Sequence, residues 1–217
     1  MFGPGTGKRK ILTLARAARA PQTSRMKANR LEAFSDGVIA IIITIMVLEL
    51  KVPHEHTLAA LVAMWPIFFS YAMSFLIVAI YWNTHHHLVH LARRVDPGVM
   101  WANMNLLFWL SLVPFTTAYL GENHATPLAV ALYGADAALC GIAYYILRHA
   151  IACHSHDDPK LTHLHQCMLR KNRIAIGIYV LAIGAAFLST WLALALILAP
   201  ALMYFIPDRE VEKLLRE

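Results

Sequence analysis

The sequence predicts an all-α integral membrane protein with six transmembrane helices per subunit and both termini in the cytoplasm. Three observations lead there. The 217 residues are 59% apolar and only 15% charged, whereas a soluble domain is nearer half apolar and a quarter charged. Apolar runs of span length follow one another along the chain, without the ten-residue alternation of a membrane barrel. Lys and Arg sort to one side of those runs, as the positive-inside rule requires.

Residues 1–29 form a basic arm. Eight of the 19 Lys/Arg lie within the first 30 residues, with no acid among them. Basic charge beside a membrane helix reads as a cytoplasmic, lipid-facing anchor, so the formal net charge of +6 is not taken as a nucleic-acid signal. The apolar patch Ile11 to Leu14 is too short for a secretory signal.

Residues 30–207 are the six-helix membrane domain. The first span covers roughly 31–50. From Val38 to Leu48 it carries one polar side chain, Thr44, and Ser35-Asp36 sits just ahead. Polar groups at membrane depth are costly, so they are held by partners or face a polar path. At 100° per residue, Gly37, Ile41, Thr44 and Leu48 fall within an arc of about 60°, and Asp36 points roughly 110° from its middle. The stripe reads as a lining and Asp36 as a packing or hydrogen-bonding group. Every face of this helix is apolar, so periodicity leaves open whether Ile41 and Leu48 meet water, lipid or another helix.

The second span covers roughly 57–82, with His85, His86, His87 and His90 at its inner end. The third covers roughly 99–120 and the fourth roughly 126–148. In the fourth, Ala131/Ala135, Gly134/Ala138 and Ala137/Gly141 give small residues spaced by four, which suits close helix packing. Asp136 in that span receives no role. A polar stretch from His149 to Arg173 follows and reads as a loop. The run 174–206 has 33 residues, long for one span and short for two. Read as a hairpin turning near Ser189-Thr190, it leaves 18 of the 19 Lys/Arg on the cytoplasmic side. A single helix would strand Arg209, Lys213 and Arg216 outside. Residues 208–217 are then a cytoplasmic tail.

The polar loop holds Cys153, His154, His156, His163, His165 and Cys167, the residue types zinc uses. Their spacings match no finger, Asp157-Asp158-Pro159 reads as a turn, and no metal site is assigned. Cys140, Cys153 and Cys167 are an odd number without Cys-x-x-Cys, so no disulfide framework is expected. No cofactor is expected either. The rival class is a secondary metal-cation transporter with a His-rich cytoplasmic loop. It needs a carboxylate/His site drawn from two spans, and apart from Glu32 and Glu49 at the ends of the first span only Asp36 and Asp136 lie within spans. A nucleophile elbow, HExxH and phosphate loop are all missing, which argues against an enzyme.

Arg30-x-x-x-Phe34-Ser35-Asp36, the apolar helix after it and the exit Leu48-Glu49-Leu50-Lys51-Val52-Pro53 resemble the transmembrane-protein-175 family of potassium channels. Tyr81-Trp82-Asn83-Thr84-His85-His86 is similar to that family's second-span end. Leu112-Val113-Pro114-Phe115-Thr116-Thr117 with Leu120-Gly121-Glu122 is similar to its third-span end. The resemblance covers roughly residues 28–125 well. It implies a subunit whose first helix lines a central pore, and, with one repeat in this chain, a homotetramer in a bacterial plasma membrane. It places the hydrophobic constriction at Ile41 and the next pore layers at Thr44 and Leu48, with K⁺ as permeant ion. Ser35 and Asp36 are expected to bind neighbouring helix ends, with Trp82, His85, His86, Asn103 and Asn105 as candidate partners. Arg30 lies at the cytoplasmic mouth, as a charge anchor or a member of that network.

Overall fold

The structure is a computed structural model and describes residues 28–90, 92, 95–153 and 159–205. The described residues are helical, joined by short turns. We number the helices α1 (Ala28–Leu48), α2 (Leu58–Ala63), α3 (Trp65–His90), α4 (Pro97–Leu110), α5 (Val113–Glu122), α6 (Pro127–Ala152), α7 (Pro159–Ala185) and α8 (Thr190–Phe205). Among the described residues, four helical segments are long and apolar enough to cross a membrane: Ala28–Leu48, Trp65–His90, Pro97–Glu122 and Pro127–Ala152, with Thr190–Tyr204 a shorter apolar one.

Local chemistry sets the boundaries. Asp96 caps α4 by accepting the Val99 N–H at 2.8 Å, and Pro97 follows where a missing donor costs nothing. The third apolar run is split into α4 and α5 because Pro114 has no N–H to give the Leu110 carbonyl. Ser111 closes that turn by donating its hydroxyl to the Phe108 carbonyl at 2.7 Å. The α5–α6 turn is tight enough to place His124 and Ala125 at φ of 48° and 52°. Pro200 lies inside α8, where neighbouring helices make such a break tolerable.

α6 is the hub. It packs against α4, α5, α7 and α8, while α3 packs against α5 and α8. One apolar cluster joins Leu31, Ile39, Ile42 and Met46 of α1 to Leu88, Leu106 and Leu147. A second joins Met73, Leu120, Tyr133, Ala182 and Ile197 around the other half of α6. The small residues of α6 admit α7 closely: a Cβ on Gly141 would lie 3.1 Å from Ile176 Cγ1 and one on Gly134 3.4 Å from Ile183 Cγ1. Trp65 of α3 stacks on Trp191 of α8 with ring centroids 6.2 Å apart.

α3 and α5 approach each other closely at Gly121. A Cβ on Gly121 would fall 2.7 Å from Ser70 Oγ and 2.9 Å from the Ile67 Cα. Backbone cannot move aside as a side chain can. Gly121→Val is therefore expected to destabilise the protein by about 2 kcal/mol or more through overpacking, seen as loss of monodisperse protein on size-exclusion chromatography. A wild-type profile would contradict the packing.

Two boundaries differ from the expectation. The polar stretch 149–173 is mostly not a loop: α6 runs to Ala152 and α7 starts at Pro159. Hydropathy reports polarity, not backbone conformation, and a solvated helix end looks the same as a loop. Likewise α3 continues eight residues beyond the expected end of the second span, through the histidines to His90. The expected break in the last apolar run is present, with turn residues 186–188 ahead of Thr190. Residues 1–27 and 206–217, which hold most of the basic arm and all of the tail, lie outside the described residues, as do His154 and His156.

Candidate functional site

The buried positions of α1 recur at Ala28, Leu31, Ser35, Ile39, Ile42 and Met46, the spacing of one helix face. That face centres about 150° from the Gly37–Ile41–Thr44–Leu48 stripe at 100° per residue. In the protomer the stripe is consequently uncovered. Ile41 is 58% exposed and Leu48 78%. Among the described residues beyond its own helix backbone, nothing lies within 4 Å of where a Gly37 Cβ would be. Thr44 donates its hydroxyl to the Ile41 carbonyl at 2.8 Å. That bond uses the proton and leaves the oxygen lone pairs free to face outward. Phe34 is also exposed.

The polar residues ahead of the stripe divide into two groups. Ser35 faces inward and is fully buried. Asn103 of α4 donates its Nδ2–H to Ser35 Oγ at 2.9 Å, and Ser35 donates to the Leu31 carbonyl at 2.8 Å. His85 of α3 reaches Asn103 Oδ1 with Nε2 at 2.8 Å. Because Asn103 has spent its N–H on Ser35, its oxygen is the acceptor, so His85 Nε2 carries the proton. His85 Nδ1 makes no hydrogen bond among the described residues. The chain His85→Asn103→Ser35→Leu31 thus binds α3, α4 and α1 through side chains that are all buried.

Asp36 faces sideways instead, half-buried, and accepts the indole N–H of Trp82 at 3.0 Å. His86, offered by sequence as a partner for Ser35-Asp36, pairs with Glu32, its Nδ1 lying 2.7 Å from Glu32 Oε1. Asn105 sits two positions from Asn103, so it points to another side of α4; it is half-buried and makes no hydrogen bond among the described residues. Arg30 is exposed and forms no ion pair among the described residues. At the far end of α1, Lys51 meets Glu122 of the α5 end at 3.1 Å. Both side chains are exposed, so the pair contributes at most about 1 kcal/mol. It nonetheless puts the exits of α1 and α5 at the same end of the bundle, opposite Glu32 and His86.

Further polar contacts were not anticipated. Asp136, left unassigned by sequence, accepts the Thr116 hydroxyl of α5 at 3.0 Å. Thr117 donates to Ser74 Oγ at 2.7 Å, and Ser74 shares a hydrogen bond with Tyr133 OH at 2.8 Å. These groups tie α3, α5 and α6 together deep in the bundle. Their signal in sequence is only that polar residues inside apolar spans need partners; it does not say which. Of the Cys/His stretch, Cys153 is exposed and Cys167 half-buried, while the side chains of His163 and His165 lie outside the described residues.

These features define a polytopic helical membrane protein whose N-terminal helix keeps one apolar, hydroxyl-bearing face uncovered and is held from behind by a buried hydrogen-bond chain. The family model described as "Endosomal/lysosomal potassium channel TMEM175" matches residues 30–114. A potassium channel of Chryseobacterium sp. (strain P1-3) is 44% identical over 192 residues, covering 88% of this chain and 100% of that one. A potassium channel of Streptomyces collinus is 35% identical over 180 residues, 78% of this chain and 87% of its own. The crystal structure of a lysosomal potassium-selective channel TMEM175 homolog from Chamaesiphon minutus superposes with a TM-score of 0.74 at 29% identity, over 83% of this chain and 97% of that one. The chain belongs to the TMEM175 family, a family of ion channels.

Proposed function

We propose that four copies of this chain assemble around a central axis, each contributing α1, and that K⁺ crosses a bacterial plasma membrane passively along that axis. The observation that carries the reading is the uncovered stripe of α1. Its opposite face is packed within the subunit, so the stripe lies at the centre of the face that α1 leaves free for a partner or an aqueous path. In the assembly each subunit has six spans and cytoplasmic termini. α7 and α8 form the last hairpin, and the basic arm, residues 1–29, lies against anionic lipid.

The mechanism follows from the side chains. Four Ile41 side chains form a throat with no oxygen ligand, so an ion passes with its hydration shell reduced, and the throat closes to ions by dewetting. K⁺ sheds water more readily than Na⁺ and crosses at lower cost. One turn on, four Thr44 oxygens, their protons committed to the Ile41 carbonyls, offer lone pairs to the partly dehydrated cation. Leu48 forms the outer apolar layer. The reading is tested by K⁺ and Na⁺ flux from purified protein in liposomes, with subunit stoichiometry by native mass. A K⁺-preferring flux from a tetramer is expected. A monomer that conducts, or a tetramer that passes neither ion, contradicts it.

Asp36 has a holding role in this scheme. Asp36→Ala removes the acceptor of the Trp82 indole N–H, a loss of about 1 kcal/mol at a partly exposed site. The expected result is a lower yield of assembled protein with an unchanged K⁺/Na⁺ permeability ratio, read from reversal potentials. A fully assembled variant with an altered ratio would place Asp36 in the ion path instead.

A further inference from the structure

Glu32 and Asp36 lie one turn apart on α1, and they face Trp82, His86 and His90, which lie one turn apart on α3. The Asp36 rung is complete, one carboxylate with one indole N–H. The Glu32 rung is not: one carboxylate oxygen faces two imidazoles. Glu32 Oε1 is 2.7 Å from His86 Nδ1 and 3.6 Å from His90 Nε2. The three ligand atoms all lie within 4.8 Å of one another. The two imidazole rings meet edge to face, with centroids 4.3 Å apart.

We infer that Glu32, His86 and His90 form a binding site for a divalent transition-metal ion of the zinc type, bridging the pore-lining helix α1 and α3. Two histidines four residues apart present their nitrogens on one helix face, a spacing that zinc sites use repeatedly. Two imidazoles and a carboxylate are a three-ligand set for tetrahedral zinc, with water in the fourth position. Zinc–ligand distances near 2.1 Å put tetrahedral ligand atoms about 3.4 Å apart. The Glu32–His86 and Glu32–His90 separations, 2.7 and 3.6 Å, bracket that value, and the third lies within 4.8 Å, so the adjustments the site needs are of side-chain scale. Exposure is graded in the useful sense. Glu32 is 14% exposed and anchors the inner side, while His86 at 38% and His90 at 57% give an ion a route from solvent. The aromatic neighbours, Trp82 at 6.1 Å and His87 at 5.6 Å from the His86 ring centroid, limit the freedom of His86. The inference stands independently of the conducting role of α1.

The test uses the full chain, purified in detergent and stripped with chelator, then titrated with Co²⁺ as a visible stand-in for Zn²⁺. One tetrahedral Co²⁺ per chain is expected, without a thiolate charge-transfer band, and displaced by Zn²⁺. His90→Gln and Glu32→Gln each remove a direct ligand. Affinity should fall by about 100-fold or more, beyond what an outer-shell change costs. Diethyl pyrocarbonate labelling mapped by mass spectrometry needs no variant, and Zn²⁺ should protect His86 and His90 in the wild-type chain. Three results overturn the assignment: no Co²⁺ bound at micromolar concentration, a thiolate band pointing to Cys153 or Cys167, or unprotected His86 and His90 under saturating Zn²⁺.

Discussion

Ile41→Asn is expected to raise K⁺ flux through the reconstituted protein about tenfold and to move the K⁺/Na⁺ permeability ratio toward unity. A tenfold change needs a barrier only about 1.4 kcal/mol lower, a modest demand on four side chains exchanged at once. The carboxamide brings oxygen and N–H into a ring that had neither, so the throat wets and an ion keeps more of its shell. The fold should tolerate the change, because Ile41 is 58% exposed and its face lies opposite the packed one. Ile42, its neighbour, makes the contrast. It is 3% exposed and belongs to the α1 core face. Ile42→Asn places an unpartnered amide there and is expected to abolish folded protein. Flux and reversal potential separate the outcomes: an unchanged permeability ratio in a well-assembled Ile41→Asn tetramer removes Ile41 from the throat.

Asn103→Leu is the second large effect. Leucine keeps the branched heavy-atom skeleton of the amide and replaces its oxygen and nitrogen by methyl groups, so both hydrogen bonds are lost. His85 Nε2–H loses its acceptor and Ser35 Oγ its donor, both within the buried chain that joins α3, α4 and α1. An orphaned buried donor costs about 1–3 kcal/mol. With the second lost bond, a destabilisation on the order of 2–3 kcal/mol follows. For a chain of this length that lowers the melting temperature by roughly 5–10 °C, measured by thermal unfolding in detergent. Asn105→Leu is the internal control. Lacking a hydrogen bond among the described residues, Asn105 should change stability by no more than about 0.5 kcal/mol. Equal losses in the two variants would contradict the chain.

That pair of asparagines shows what could be read from the sequence and what could not. The need of Ser35 and Asp36 for partners followed from the cost of polar groups at membrane depth. Helical periodicity separated the Asp36 direction from the stripe. Choosing between Asn103 and Asn105 required the rotation of α4 about its own axis, which an all-round apolar helix does not encode. His86 fell to Glu32 rather than Asp36 for a similar reason. The pairing depends on how far α1 and α3 slide along each other, and matching one-turn ladders permit more than one register. The helical extent of the polar stretch before Ile174 was hidden because hydropathy carries no information on solvated helices. The break between α4 and α5 falls inside the third span expected at 99–120; its signal is Pro114, which hydropathy does not weigh.

Cysteine scanning of α1 tests the proposed pore most directly. In a background with Cys140, Cys153 and Cys167 replaced by alanine, single cysteines would be placed at Thr44 and, as an off-stripe control, at Val47. Both native residues are exposed in the protomer, so exposure alone does not distinguish them. Only position 44 faces the proposed axis. A charged thiol reagent should block K⁺ flux in the Thr44→Cys protein and leave the Val47→Cys protein conducting. Flux that survives complete labelling at position 44 would show that the ions travel elsewhere.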